Sequence, residues 1–244
     1  IFADCKPMFV LVAQSPLNAR FLAEVTYVED DCKIVYNNDY IVINDCQIFS
    51  GGLFSAQDAS IGSKAERVFE RLHEILKTEG FAINDIVRQW NYIERITHMA
   101  DEGQHYQLFN DARSHFYQGC QWHNGYPAAT GIGTQAGGVT VLFDAVKSSA
   151  IHSKAVDNPL QVSAHAYSQQ VLINNTEAHK TTPKFERARY MCGEDASVYI
   201  SGTAAIRGEE SCSEDAVGQT RLTMENIDYL ISEENLVKSG VAEP

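Results

Sequence analysis

The sequence predicts an α+β protein of two related lobes, each a mixed β-sheet with helices packed on one face, with the second lobe incomplete. Three observations carry this prediction. First, one order of elements occurs twice: Ile41-Val42-Ile43 and Gln47-Ile48-Phe49 lead into Ser50-Gly51-Gly52, a polar loop and a helix, and Val198-Tyr199-Ile200 leads into Ser201-Gly202-Thr203, a polar loop and a helix. Second, the first half reads hairpin, helix, strand, helix, strand. Third, 244 residues that are 44% hydrophobic can fill two cores of about 120 residues each. The expected division is a first lobe with an N-terminal extension over residues 1–147, a connecting segment over 148–189, and a partial second lobe over 190–244.

Taken in order, Phe9 to Val28 reads as mixed strand with a turn at Pro16. Ile34 to Tyr36 and Tyr40 to Ile43 read as a hairpin, because Asn37-Asn38-Asp39 between them tolerate left-handed backbone. From Ser63 to Gly80 a helix is expected. Ala65, Val68, Leu72, Ile75 and Leu76 recur at spacings of three and four, with Lys64, Glu66, Arg67, Glu70, Arg71 and Glu74 between them. Ser63 is the expected N-cap, with Glu66 completing a capping box and Gly80 stopping the helix. Ile86 to Ile96 suits a buried strand and Tyr106 to Phe116 a second helix; Val139, Val141, Phe143 and Ala145 mark a strand over Gly138 to Val146. Lys147 to Arg189 is polar, with Pro159 and Pro183, and reads as a connector over the junction between lobes. The second copy begins near Tyr190, and Thr220, Met224, Ile227 and Ile231 form the stripe of its helix. Its missing strands are expected from the early strands, from another chain, or from sequence beyond Pro244.

Composition narrows the function. A net charge of −13 and a pI near 5.0, with no Lys/Arg-rich run, argue against a nucleic-acid partner. No apolar run approaches the roughly 18 residues of a membrane span, and Met8 to Ala13 is too short for a signal peptide, so a cytoplasmic protein is expected. Cys5, Cys32, Cys46, Cys120, Cys192 and Cys212 are scattered without a CxxC pair and read as free, mostly buried thiols, Cys192 included. The eight histidines show no ligand spacing such as HExxH, and Gly131-Ile132-Gly133 breaks the dinucleotide fingerprint, so no metal and no cofactor are expected. Asn174-Asn175-Thr176 is taken as an accidental glycosylation match.

Several blocks together resemble the chorismatase family, a two-domain branch of the Rid (reactive-intermediate deaminase, "endoribonuclease L-PSP") superfamily. They are residues 88–93 (Arg-Gln-Trp-Asn-Tyr-Ile), 106–113, 127–133, 158–161, 183–188, 201–211 and 219–227, in an order that spans most of residues 40–231. The resemblance implies two Rid-like (chorismate-mutase-like) domains. It also implies cofactor-independent removal of the enolpyruvyl group of chorismate as pyruvate, leaving a dihydroxycyclohexadiene or hydroxybenzoate acid. Rid proteins are usually homotrimers with clefts between subunits, so a homo-oligomer or a pseudo-trimeric monomer is implied.

A dicarboxylic enol ether calls for guanidinium groups, whose forks pair bidentately with carboxylates. Arg113, Arg187 and Arg189 stand in or beside the family-like blocks, each open to the alternative of a solvated charge. Tyr92, Tyr106 and Tyr167 are either cleft-lining or core aromatics. Thr130-Gly131 and Gly202-Thr203 are either strand ends or places where backbone approaches a ligand. Cleaving an enol ether starts with protonation of its methylene carbon by an acid of raised pKa. The resemblance puts that acid, a glutamate after a cysteine, on a last strand that the sequence does not reach, and Asp144 is the repeat-related substitute. Ala129 stands where Rid deaminases carry a binding arginine, which speaks against imine hydrolysis. A non-catalytic metabolite-binding module is the other reading.

Overall fold

A computed structural model describes residues 8, 10–28, 31–55, 60–172, 180–193, 196–212 and 215–241. Cys5, Phe9, the tripeptide Asn174-Asn175-Thr176 and Glu243 lie outside the described residues. The first half of the chain runs β1 (Ile34–Tyr36), β2 (Tyr40–Ile43), β3 (Gln47–Ser50), β4 (Leu53–Ser55), α1 (Ile61–Glu79), β5 (Ile86–Glu94), β6 (Met99–Ala100), β7 (Gly103–Gln104), α2 (His105–Phe116), β8 (Ala128–Thr134) and β9 (Val139–Val146). There follow β10 (Ser153–Val156), β11 (Ala188–Met191), β12 (Ser197–Ile200), the short hairpin β13 (Ile206–Arg207) and β14 (Glu210–Ser211), α3 (Ala216–Leu230) and α4 (Glu233–Lys238).

The first sheet has the order β1-β2-β3-β9-β5-β8, with β4 also pairing with β9. Only β5 and β8 run parallel; the other pairs are antiparallel. One face is apolar because Val139, Val141, Phe143 and Ala145 alternate inward along β9, and α1 and α2 cover it with Val68, Phe69, Leu72, Ile75 and Phe109. The opposite face meets a second, antiparallel sheet, β10-β11-β12, through Val87, Val146, Met191 and Tyr199. The far side of this second sheet is closed by Leu230 of α3 and Leu236 of α4. The result is four layers, helices outside and two sheets inside, with the edge strand β8 at the junction of the lobes.

Where the structure departs from the sequence reading, the cause is local. α1 begins at Ile61, and its cap is Ser60, whose Oγ accepts from Ser63 N at 3.2 Å; the expected Ser63–Glu66 box is not formed. Ile61 is buried in the core, so packing holds the first turn there and Ser60, the residue before it, takes the cap. Gly80 does end the helix, with φ of 70°. The hairpin over residues 34–43 forms, yet the left-handed pair is Asn44 and Asp45 of the next turn, at φ 49° and 56°. Among described residues, 10–28 contain no strand: Leu11, Leu17, Phe21, Leu22 and Tyr27 are exposed, and Val10 lies over Gly52, where φ is +99° and a Cβ would come within 2.8 Å of it. Apolar composition there does not report a ladder. β10 lies inside the stretch read as a connector, and it pairs with β11 from Ser153↔Met191 to Val156↔Ala188.

α3 also turns the other way. Asn226 and Leu230 face inward, while Thr220, Met224 and Ile231 are exposed and Ile227 is half-buried. Its anchor is polar: Asn226 Nδ2 donates to the carbonyls of Ala204 and Ile206 at 3.0 and 3.1 Å, and its Oδ1 accepts from Arg207 at 2.6 Å. Hydrophobic periodicity cannot see such an anchor. The five described cysteines are unpaired, but Cys32, Cys46, Cys120 and Cys192 are half-buried and Cys212 is exposed, so the expectation of mostly buried thiols is corrected. No described helix is long and apolar enough to cross a membrane.

Candidate active-site cleft

A cleft of about 360 Å³ opens between the lobes along β8. β5 contributes Asn91, α2 contributes Tyr106, Phe109 and Arg113, and β8 contributes Ala129, Thr130 and Gly131; the facing wall is Phe185 and Gly202 to Ala204. The wall is held to β8 by hydrogen bonds. Ala129 N donates to Ser201 Oγ at 2.9 Å, Ser201 Oγ donates to the Glu186 carbonyl at 2.5 Å, and Gly202 N donates to the Ala129 carbonyl at 3.0 Å. These bonds satisfy the free edge of β8 at Ala129 and bring both expected glycine turns to one place. A second hollow of about 300 Å³, bordered by Glu94, Asp101, Glu102 and His105, holds none of the expected residues, and its carboxylates suit an anion poorly.

The structure brings Arg113, Tyr106, Thr130, Gly131, Gly202 and Thr203 together in the cleft. Arg113 is 2% exposed; its Nη2 donates to Asn110 Oδ1 at 2.6 Å, its guanidinium lies 5.4 Å from the Phe109 ring, and its Nε has no partner. Asp111, its neighbour in sequence, is bonded instead to Gln107 and Thr181. Among the described residues no carboxylate forms an ion pair with Arg113. Asn91 donates through Nδ2 to the Thr130 carbonyl at 3.1 Å, leaving Oδ1 without a partner, and Thr203 Oγ1 is likewise buried and unpartnered. Three residues lining one cleft thus each carry a buried polar atom without a partner, a feature expected of a ligand site. From the other face of β5, Arg88 donates to Thr130 Oγ1 at 2.6 Å and lies 4.7 Å from the Trp90 ring; burial lowers its pKa to about 10.

Gly131 carries the close approach argued from sequence. A Cβ there would lie 3.2 Å from Tyr106 Cε2 and 3.6 Å from Ile96 Cδ1. Gly131→Ala is therefore expected to push the Tyr106 ring into the cleft and weaken binding of a carboxylic acid about tenfold, with fold stability lowered by about 1 kcal/mol. Calorimetric titration beside a melting curve checks both.

Five expected residues stand outside the cleft, four of them expected to bind substrate and the fifth, Asp144, expected as the acid. Arg187 lies behind Phe185, donating to the Val162 carbonyl and to Tyr167 OH, so Arg187 and Tyr167 back the wall and do not line it. Arg189 is 2% exposed, does not line the cleft, and has all three nitrogens donating to Ser153 Oγ and the carbonyls of Asn124, Gly125 and Tyr126. Tyr92 follows Asn91 on β5 and so points to the opposite face.

Asp144 is sealed between the two sheets, fully buried, and accepts from Gln47 Nε2 at 2.9 Å and Tyr199 OH at 2.6 Å. It cannot reach a substrate in the cleft, which corrects its expected catalytic role. Burial lifts its pKa to about 6 although the two hydrogen bonds pull it down. Because the folded-state value is raised, the protonated form favours folding: that contribution is complete below about pH 4 and is lost as pH rises through about 6. Asp144→Asn removes the charge and keeps the shape, with Tyr199 OH then accepting. It is expected to stabilise the protein at pH 7 by on the order of 1–3 kcal/mol, with the gain fading towards about pH 4. Denaturant melts at the two pH values read it.

Asn91, Phe109, Phe185 and Ala204 were missed from sequence. An amide in the middle of the apolar strand 86–93 was a usable signal for Asn91; the phenylalanines looked like core. Among the described residues no cluster of three or more His, Cys, Asp or Glu could hold a metal ion.

Comparison with known proteins agrees with this architecture. Residues 24–145, half of the chain, match the family model "Chorismatase FkbO/Hyg5-like, N-terminal". A protein of Streptomyces hygroscopicus named 3-hydroxybenzoate synthase is 34% identical over 173 residues, covering 67% of this chain and 48% of that protein. A Streptomyces rapamycinicus protein named chorismatase is 29% identical over 197 residues, covering 78% and 54%. The chain spans about half the length of the curated relatives it matches. A chorismatase crystal structure superposes with a TM-score of 0.73 over 86% of this chain and 62% of that one, at 24% identity, and so shares the fold. With half of its residues matched by that family model, the chain belongs to the FkbO/Hyg5-like chorismatase family.

Proposed function

We propose that the cleft seats a carboxylate of chorismate, or of a close cyclic enol-ether acid, in an enzyme that releases the enolpyruvyl group as pyruvate by general-acid catalysis. The observation that supports it is Arg113: a guanidinium 2% exposed, with an unpartnered Nε and no ion-pairing acid among the described residues, lining a cleft on a protein of net charge −13. A buried unpaired cation is costly, and a ligand carboxylate would relieve it through two parallel hydrogen bonds. Tyr106, Phe109 and Phe185 offer ring faces to a carbocycle, and Gly131 and Gly202 let backbone come close. The same reading takes the first sheet with α1 and α2 as one lobe and the second sheet with α3 and α4 as the other, which moves β10 and the start of β11 out of the expected connector, and takes the five unpaired described thiols as belonging to a reducing cytoplasm.

None of the described side chains lining the cleft is a carboxylic acid, so the proton donor of the reaction is not among them. That observation favours a second reading, a non-catalytic binder of the same acids. One experiment separates the two: incubate the protein with chorismate, assay pyruvate, and titrate chorismate by calorimetry. Pyruvate release supports the enzyme, binding without release supports the binder, and neither signal removes both.

A further inference from the structure

We infer that a file of ordered water runs beneath the cleft, between β5 and α2, and supplies the water that hydrolytic pyruvate release consumes; the supply role rests on the enol-ether reading above. Gln89 and Asn91 are two residues apart on β5 and share a face. They are 0% and 1% exposed, and both amide atoms of Gln89 and Oδ1 of Asn91 have no partner. The face is the helical one, since Phe143, the register partner of Gln89, packs in the core with Phe109 and Ala112 of α2. Arg113 of that helix and Tyr117, the residue just past its last turn, are one turn apart, Ser114 follows Arg113 in the chain, and Arg113 Nε, Ser114 Oγ and Tyr117 OH are also buried without partners.

Such a row is costly when dry and ordinary when hydrated, because a buried water typically makes about three hydrogen bonds to groups of this kind. The set is complementary to water: Arg113 Nε only donates, Asn91 Oδ1 only accepts, and the hydroxyls and the Gln89 amide do both. Asn91 and Arg113 line the cleft, so the file opens on its floor.

The chemistry gives the water a use. Protonating the methylene carbon of the enol ether leaves an oxocarbenium ion and the conjugate base of the acid. Water forms the new C–O bond at the cationic carbon and returns a proton to that base; the hemiketal hydroxyl then gives its proton to the ring oxygen as the bond to that oxygen breaks and the C=O bond forms, giving pyruvate and a ring alcohol. One water is consumed. Splitting chorismate into pyruvate and a hydroxybenzoate consumes none, since the substrate's atoms already sum to those products. Gln89 therefore helps decide which product forms, through the water it orders and without touching the substrate.

The test pairs a high-resolution crystal structure of the unliganded wild type with the variant Gln89→Leu. Ordered waters within hydrogen-bond distance of the Gln89 amide, Asn91 Oδ1 and Arg113 Nε are expected. The variant is expected to lose hydrolytic pyruvate release several-fold at unchanged calorimetric affinity for chorismate, with the remaining product shifted toward the water-free one. A dry row whose polar atoms bond to one another overturns the inference even if the variant does not fold, and so does a folded variant with wild-type products. Waters in a wild type that neither binds nor cleaves chorismate would sink the enol-ether reading and the supply role, leaving the hydrated row.

Discussion

Arg113→Ala is expected to weaken chorismate binding by about 30- to 3,000-fold. The range follows from the 2–5 kcal/mol that truncating one partner of a buried, hydrogen-bonded charge pair costs, at 1.4 kcal/mol per tenfold. Arg113→Lys should recover only part of the loss, because an ammonium has no planar fork and cannot serve a carboxylate and Asn110 Oδ1 together in the geometry seen here. Loss of the Asn110 contact also lowers stability, so affinity alone would not separate a ligand role from a structural one. The discriminating comparison is chorismate against its methyl esters: the wild type should prefer the free acid, and the alanine variant should lose that preference. Wild-type affinity in Arg113→Ala would remove this cleft as the carboxylate seat.

What the sequence made legible follows from what periodicity can report. α1, β5 and β9 bury aliphatic residues at helical or alternating spacing, and all three were expected close to where they lie. The glycine turns were legible as candidate ligand approaches because a missing Cβ is a local fact, and Gly131 and Gly202 do sit in the cleft. Partners are not local. Arg113, Arg187 and Arg189 look alike as letters, yet each has a different surrounding: residues 124–126 and 153 engage all three nitrogens of Arg189, residues 162 and 167 take Nη2 of Arg187 while its Nε stays unpartnered, and Arg113 donates to Asn110 alone among the described residues. Asp144 illustrates the same limit. Its place on β9 was right, but only the packing of β12 against that strand decided that Tyr199 would seal it. The polar anchor of α3 at Asn226 was hidden for the converse reason, because the exposed Met224 and Ile231 made the wrong stripe look like the buried one.

Arg189→Ala is expected to cost about 3–5 kcal/mol of stability, the penalty of breaking a buried charge network by removing one member. One nitrogen, Nη1, gathers three carbonyls, those of Asn124, Gly125 and Tyr126, at 3.1, 2.8 and 3.0 Å, while Nε and Nη2 hold Ser153 Oγ at 3.1 and 2.9 Å. The guanidinium thereby ties β10 and β11 to the turn before β8, in which Gly125 has φ of +80° and its Cβ position is closed by Ala155 and Glu186. Burial depresses the Arg189 pKa to about 10, with the Glu186 charge pulling it back up. Removing the cation leaves three carbonyls and the Ser153 hydroxyl short of their partner, and takes a favourable charge from the field of Glu186, itself bonded to Tyr126 N. For a chain of this size the loss should lower the melting midpoint by roughly 6–20 °C, at about 2–4 °C per kcal/mol. Arg189→Lys should restore a minority of it, since one ammonium can meet the carbonyls or Ser153 but not both sides of the turn. The contrast with Arg113 is the sharper measurement. Below its melting midpoint Arg189→Ala should bind chorismate within a few-fold of wild type, whereas Arg113→Ala should melt nearer to wild type and bind poorly. Should Arg189→Ala melt as wild type and lose the ligand, Arg189 would be the carboxylate seat after all, and the cleft would have been drawn on the wrong side of β11.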